Sequence, residues 1–354
     1  MRPESEEDLS HVIRSAREPL TPIGGGTRLR PGEGQGERVN VSGLSGITLY
    51  EPAALTLVVR AGTRLSEVRE ALAAEGQMLA FEPDARPDST MGGIVAANAS
   101  GPRRVQAGAC RDALLGLRYV DGQGEVIRNG GRVMKNVTGY DLVKLMAGSR
   151  GQLGVLTELS FRTAPIPPCA ATLALPGLDA ASAIAALTLA LTGPYDVSGA
   201  AWLPGQGALI RVEGLEGSVA IRSQALTERL ARFGEVAMAG SDPWSGMVPT
   251  AAEGDLWRII CRPSEAPGLF AALPQPLALD WGGSLIWVAL PPGEAPSLPA
   301  WSGHAIRVTG AAPLILPAPN PVVQRLNASL RERFDPRGIF ASESSCRPIL
   351  QKSS

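Results

Sequence analysis

The chain has 354 residues, 44% of them hydrophobic and 19% charged, with a formal net charge of −1. That length exceeds a single core and suits two or three folding units in an ordinary globular composition. Near-zero net charge gives no electrostatic case for a nucleic-acid partner, and no apolar run is long enough to cross a bilayer.

The N-terminus, Met1-Arg2-Pro3-Glu4-Ser5-Glu6-Glu7-Asp8, is acidic and lacks the basic-then-apolar order of a signal peptide, so a cytoplasmic location is expected. Leu9, Val12, Ile13 and Ala16 then fall on one helical face and predict a helix over Glu6–Arg17. A short extended run, Pro19–Ile23, leads into Gly24-Gly25-Gly26-Thr27-Arg28. Consecutive glycines can turn backbone N–H groups inward as anion donors, Thr27 adds a hydroxyl and Arg28 a cation, a set suited to pyrophosphate. A flexible linker is the plainer alternative. The stretch is neither a P-loop, lacking Gly-Lys-Ser/Thr, nor the G-x-G-x-x-G turn of a Rossmann fold.

Strands are predicted at Val39–Val41, Ile47–Glu51 and Leu55–Ala61, a helix from Leu65 to Ala73 stopping at Gly76, and a strand over Gln77–Phe81. The next stretch, Ser89–Arg104, carries Gly92 and Gly93 followed by almost nothing but small residues through Gly101. It is expected to be a second place where backbone N–H groups meet a phosphate, the alternative being an Ala/Gly-rich core segment closing on a turn. A hairpin follows, Leu114–Val120 and Glu125–Arg128 around Asp121-Gly122-Gln123-Gly124. Gly148, Gly151 and Gly154 recur every three residues before a strand Val155–Arg162, and Pro165, Pro167 and Pro168 read as a linker.

Beyond it, helices at Leu178–Leu191 and Ser218–Phe233 interleave with strands at Leu209–Gly214, Leu256–Arg262 and Leu285–Leu290. A second, smaller α+β unit fits this order, with a ferredoxin-like arrangement among those compatible with it. From Asn320 the chain is helical again, with Val322, Val323, Leu326 and Leu330 apolar. No internal repeat is visible. Cys110, Cys169, Cys261 and Cys346 form no C-x-x-C pair and the two histidines, His11 and His304, are far apart, so no local metal or iron–sulfur ligand set is encoded.

Three glycine-bearing stretches in this order, Ile23–Arg28, Ser89–Arg104 and Gly139–Glu158, resemble the flavin-binding domain of the vanillyl-alcohol-oxidase, or p-cresol methylhydroxylase (PCMH), superfamily. Lys135-Asn136-Val137-Thr138-Gly139-Tyr140-Asp141-Leu142 and Gly154-Val155-Leu156-Thr157-Glu158 bring the resemblance closer to the FAD-binding E subunits of bacterial glycolate oxidases. Leu256-Trp257-Arg258-Ile259, Asp280-Trp281-Gly282-Gly283, Gly303-His304-Ala305 and Asp335-Pro336-Arg337-Gly338 support it. The resemblance implies an α+β fold: a PCMH-type two-subdomain FAD-binding domain over residues 1–168, a smaller α+β cap over 169–318, and a C-terminal helical segment and tail over 319–354.

It also implies non-covalent FAD. Gly24, Gly25, Gly26, Thr27 and Arg28 would hold the pyrophosphate, with Ser89, Gly92, Gly93, Asn98 and Gly101 along its second side. Gly154 and Val155 would face adenine and ribose, and Arg111, beside Cys110 and Asp112, would approach the flavin ring. No loop histidine stands at Thr27–Arg28 to attach flavin covalently, and no metal ligand set is expected. The implied activity is oxidation of small 2-hydroxy acids to 2-oxo acids. His304 is the candidate base, and Arg258 or Arg307 the carboxylate anchor. The implied partners are a second FAD-containing hydroxy-acid dehydrogenase subunit and an iron–sulfur subunit, through which a chain without a transmembrane segment could attach peripherally to a membrane. A stand-alone FAD-dependent oxidase and a non-catalytic assembly subunit retaining the flavin fold are the alternatives.

Overall fold

The structure, a computed structural model, describes residues 1–340 except 31, 35, 85, 133–138, 241, 250–253, 311–314 and 319. The expected motif Lys135–Thr138 and Cys346 therefore lie outside the described residues.

The first part of the chain builds a parallel strand pair and a five-stranded sheet around one cleft, with a further short strand pair beside them. Helix α1 (Glu6–Ser15) starts at a capping box, Ser5 Oγ accepting from Asp8 N and Asp8 Oδ2 accepting from Ser5 N. Its buried Leu9 and Ile13 pack on a parallel pair, β1 (Leu20–Ile23) and β2 (Glu37–Asn40). The chain end joins this layer, since Leu20 N donates to Ile339 O at 2.6 Å and Phe340 lies in the same core.

The second sheet is five-stranded and antiparallel. It contains β3 (Ile47–Glu51), β4 (Thr56–Arg60), β6 (Leu114–Val120), β7 (Val126–Gly130) and β8 (Val155–Arg162), in the order β3-β4-β8-β6-β7. A short strand between them, β5 (Gln77–Met78), pairs instead with β9 (Ala164–Pro165). Against its apolar face pack α2 (Leu65–Ala74), α3 (Met91–Ala96) and α6 (Leu142–Met146). The intervening single turns are α4 (Arg104–Ala107) and α5 (Cys110–Ala113).

The remainder forms a nine-stranded sheet. Its first unit runs β10 (Cys169–Leu175), α7 (Ala180–Leu191), β11 (Val197–Leu203), β12 (Gly207–Gly214), α8 (Glu216–Leu230) and β13 (Ala237–Met238), with strand order β13-β10-β12-β11. This βαββαβ order is the ferredoxin-like one. The second unit runs β14 (Asp255–Ile260), α9 (Ala266–Ala271), β15 (Pro276–Asp280), β16 (Leu285–Leu290) and β17 (His304–Arg307), in the order β17-β14-β16-β15. That repeats the first unit with its second helix missing. In its place the segment from Pro291 to Gly303 lays Leu298 and Trp301 on the core. The edge strands β11 and β15 pair through Trp202 and Leu279, which joins the units, and β18 (Ile315–Leu316) extends β17. A structural duplication is thus present where the sequence shows no repeat.

The helices cover one face of this sheet. The other face meets the first part of the chain. Glu82, at the end of the segment after β5, accepts from Arg211 Nη1 at 2.9 Å and Nη2 at 2.7 Å, and Arg103 pairs with Glu213. Helix α10 (Pro321–Phe334) rests on the first core through Leu330 and Phe334, with Arg331 Nη2 donating to Gln152 Oε1 at 2.7 Å, and leaves Val322, Val323 and Leu326 51%, 46% and 60% exposed.

Candidate functional site

The segment from Gly24 to Arg28 leaves β1 and crosses directly over the turn at Asp88–Thr90. A Cβ at Gly25 would stand 1.7 Å from Asp88 O, and one at Gly24 would stand 2.1 Å from Thr90 Oγ1, so only glycine allows this approach. Thr27 Oγ1 and the buried Ser89 Oγ share a hydrogen bond of 3.1 Å across the contact, and Arg86 Nη1 donates to Thr27 O at 2.8 Å. Among the described residues none accepts a hydrogen bond from the backbone N–H groups of Gly24, Gly25, Gly26, Thr27 or Arg28. They edge a cleft of about 690 Å³, part of it open to solvent, whose other walls include Gly92, Gly93, Gly154 and Val155. A row of unspent N–H donors over a cleft is what a pyrophosphate requires.

Several expected donors are placed differently. Gly92 and Gly93 lie inside α3, not in a positive-φ loop. Gly92 N donates to Ala61 O at 2.7 Å and Gly93 N to the capping Thr90 Oγ1 at 3.3 Å, so neither N–H is available to a phosphate. Their smallness serves packing: a Cβ on Gly92 would stand 2.9 Å from both Cβ and O of Ala61. Arg28 does not offer its guanidinium to the cleft as a free cation. Nη1 meets Asp84 Oδ1 at 2.6 Å and Nη2 meets Asp84 O at 3.0 Å, while its buried Nε has no partner among the described residues. Asn98 spends its Oδ1 on Arg111 N at 3.0 Å. Gly101 is pressed on Glu82, with N donating to Phe81 O at 2.9 Å. The Arg111 side chain is half exposed, lines neither cleft among the described residues, and stands 3.9 Å from Asp112, which pairs more closely with Lys144 at 3.0 Å.

Sequence reasoning missed what fixes the donor loop. Asp84 draws together Arg28 and Arg86, at 2.6 and 2.5 Å. From the third glycine stretch, Arg150 (φ +56°) pairs with Glu33 and donates to Arg28 O at 2.7 Å, while its own N–H reaches Ala96 O at 3.0 Å. The available signal was the Gly-Ser-Arg-Gly spacing around Arg150.

A second cleft, of about 700 Å³, continues from the first past Arg28, Leu29, Ala97 and Arg150, and its far wall is the helix-free face of the nine-stranded sheet. In antiparallel register Arg258 lies opposite Ile306 and Trp287, so all three share this face. Arg258 makes no hydrogen bond or ion pair with any described residue. Its guanidinium lies over the Trp281 ring at 5.1 Å. Burial, and then the cations Arg104 and Arg30, pull its pKa down to about 10 against the opposing Asp280, so it remains charged at neutral pH with no ion-pair contact among the described residues. The alternation that turns Arg258 into the cleft turns Arg307 out of it. Arg307 is buried on the opposite face, with Nε 3.3 Å from Asp255 and its guanidinium over Trp257, and cannot anchor a substrate in the cleft. His304 is exposed at the start of β17, opposite Ile260 and diagonal to Arg258. Desolvation, then Arg258 and Arg30, lower its pKa, so the ring is neutral at pH 7.

No helix among the described residues is long and apolar enough to cross a membrane. The family model for the FAD binding domain matches residues 1–130. Glycolate oxidase subunit GlcE of Escherichia coli is 36% identical over 318 residues, covering 86% of each chain. Glycolate oxidase subunit GlcD of Bacillus subtilis is 32% identical over 178 residues, 48% of this chain and 38% of its own. D-lactate dehydrogenase of Anaerostipes hadrus is 33% identical over 179 residues, and this chain spans 37% of its length. Among solved structures, alkyldihydroxyacetonephosphate synthase superposes with a TM-score of 0.66 at 15% identity, over 96% of this chain and 76% of that one. p-Cresol methylhydroxylase superposes at 0.63 and 14%, over 82% and 74%. With the free donor row, the glycine contacts and these likenesses together, the chain belongs to the GlcE family of glycolate oxidase subunits and carries a FAD-binding domain in a PCMH-type α+β fold.

Proposed function

We propose that this chain is the FAD-carrying subunit of a glycolate oxidase-type complex that converts small 2-hydroxy acids to 2-oxo acids. The observation that carries this is the unspent N–H row at Gly24–Arg28, opening on a cleft that runs on to the guanidinium of Arg258, which has no ion-pair contact among the described residues. The donor set fits a pyrophosphate held non-covalently, with the Gly154–Val155 backbone beside the adenine end and Gly92, Gly93 and Ser89 as close-packed wall. When bound, the flavin supplies a two-electron acceptor for the hydrogen on the carbinol carbon.

The protein's own contributions are binding and orientation. Arg258 pairs with the substrate carboxylate, for which a guanidinium offers a two-pronged match, and the apolar Trp287, Ile306 and Val308 exclude water around it. His304, neutral and on the same face, is the candidate acceptor of the hydroxyl proton. Its exposure at the start of β17 leaves room for a group from a partner subunit to take that part. Electrons leave through partner subunits, an iron–sulfur protein being the fitting class, and any attachment to a membrane comes through them.

The test is the visible spectrum of the purified chain, alone and with co-purifying partners, under anaerobic glycolate. A colourless chain that takes up no added FAD refutes the proposal. Bleaching by glycolate in the complex supports it. Bleaching of the isolated chain transfers the whole oxidation to this subunit.

A further inference from the structure

Trp281 lines neither cleft, yet it touches both the end of the second glycine stretch and Arg258 of the second cleft. Trp281 has φ +53°, a left-handed conformation that costs a bulky side chain and persists only where its surroundings impose it. Three contacts impose it. Its N–H donates to the buried Asp280 Oδ1 at 2.7 Å. Its indole Nε1 donates to Gly101 O at 3.0 Å. Its ring lies under the guanidinium of Arg104 at 4.5 Å as well as that of Arg258 at 5.1 Å. Gly101 and Arg104 end the second glycine stretch, on the flavin side, whereas Arg258 belongs to the opposite sheet.

Two like charges beside one ring would repel, and the negative ring face offsets that repulsion. Arg258 makes no hydrogen bond or ion pair with a described residue, and the charge of Asp280 attracts it without contact, so its close packing partner is this ring. We propose that Trp281 is a positioning residue: it fastens the cap sheet to the second glycine stretch and holds the Arg258 guanidinium toward the cleft. This rests on Arg258 being the carboxylate anchor, so the test separates the two ideas.

Trp281→Leu removes ring and N–H, and Trp281→Phe keeps the ring alone. Two measurements are made on the full FAD-loaded chain. One is the dissociation constant of oxalate, a non-oxidisable carboxylate, from the perturbation of the flavin spectrum. The other is the rate at which phenylglyoxal modifies Arg258, followed by peptide mass. Trp281→Leu is expected to weaken oxalate about tenfold, in the range a lost cation–π contact gives, and to speed Arg258 modification severalfold. Trp281→Phe is expected to restore both to within about threefold, with FAD content unchanged throughout, a rescue that a general packing role would not produce. Wild-type modification rates and oxalate affinity in Trp281→Leu would overturn the proposal. If no form binds oxalate but the modification rates shift as described, the carboxylate anchor is refuted and the positioning role stands.

Discussion

Replacing Gly25 by alanine tests the donor loop directly. The new Cβ would be built 1.7 Å from Asp88 O and 2.6 Å from Asp88 C. Normal contact between carbon and oxygen is about 3.2 Å, so loop and turn must part by roughly 1.5 Å, and both sides are backbone with no rotamer to escape into. That separation breaks the bond between Thr27 and Ser89 and strains the one from Arg86 to Thr27 O. It also carries the free N–H row off target by more than an ångström. A charge-assisted hydrogen bond contributes about 1.5–3 kcal/mol, so losing two weakens FAD by about 3–6 kcal/mol, or roughly 10²–10⁴-fold. Gly26→Ala is the control: φ is +70° and the nearest atom would be 3.9 Å from the new Cβ. Its cost is the left-handed penalty, ~1–2 kcal/mol. The assay is FAD titration by fluorescence quenching, with circular dichroism and melting to confirm folding. A Gly25→Ala protein that binds FAD within about threefold of wild type would refute the placement of the pyrophosphate.

Arg258→Met is expected to change stability by no more than about 1 kcal/mol in thermal melting, since the cation makes no ion-pair contact among the described residues and loses its contact with Trp281 and a contact-free attraction to Asp280 while also relieving repulsion from Arg104. The same variant should reduce the rate of flavin bleaching by glycolate at least about a hundredfold. Glu82→Ala should cost about 2–4 kcal/mol in urea unfolding, toward the lower end because Glu213 remains 3.5 Å from Arg211. Asp280 is fully buried; burial, with Glu82 adding, pushes its carboxyl up to about 7 against the opposing Trp281 N–H, Arg211 and Arg258. A carboxyl raised from 3.8 binds more protons folded than unfolded, so its contribution is full below about pH 4 and falls as pH rises through about 7, by at most ~4 kcal/mol. Asp280→Asn should therefore gain on wild type in unfolding free energy between pH 5 and pH 8; parallel profiles would refute this.

The sequence was most legible where one local rule governs one element. Ile47–Glu51 and Leu285–Leu290 appear at their expected bounds, and α2 within a residue, because short β-branched or apolar runs and helical spacing are local signals. The glycines at 24–26 were legible as a loop of N–H donors, although the close approach of Gly25 to Asp88 is set by tertiary packing. Gly92 shows the limit: close approach to a ligand and close approach to Ala61 demand the same missing Cβ, and only coordinates tell them apart. Strands β10 and β11 escaped notice because Cys169–Leu175 and Val197–Leu203 are rich in alanine, which favours strands little. The roles of Asp84, Arg86 and Arg150 depend on residues from separate segments meeting, which no spacing encodes. Arg258 and Arg307 look alike as letters, and strand pairing alone assigns one to the cleft and the other to a buried pair with Asp255.

The doubled sheet separates two kinds of position. Helices cover one side of both units, so along β14 the residues Trp257 and Ile259 answer to the core while Leu256, Arg258 and Ile260 face the flavin-binding half. A substitution at the half-buried Arg258 or Ile260 therefore meets the cleft side and leaves the packing of Trp257 and Ile259 in place, whereas Leu256 is itself buried. The join of β11 with β15 makes this surface broad enough to present such positions from several strands at once. Two units joined edge to edge thus present one broad cleft-facing surface over a separate, helix-covered core.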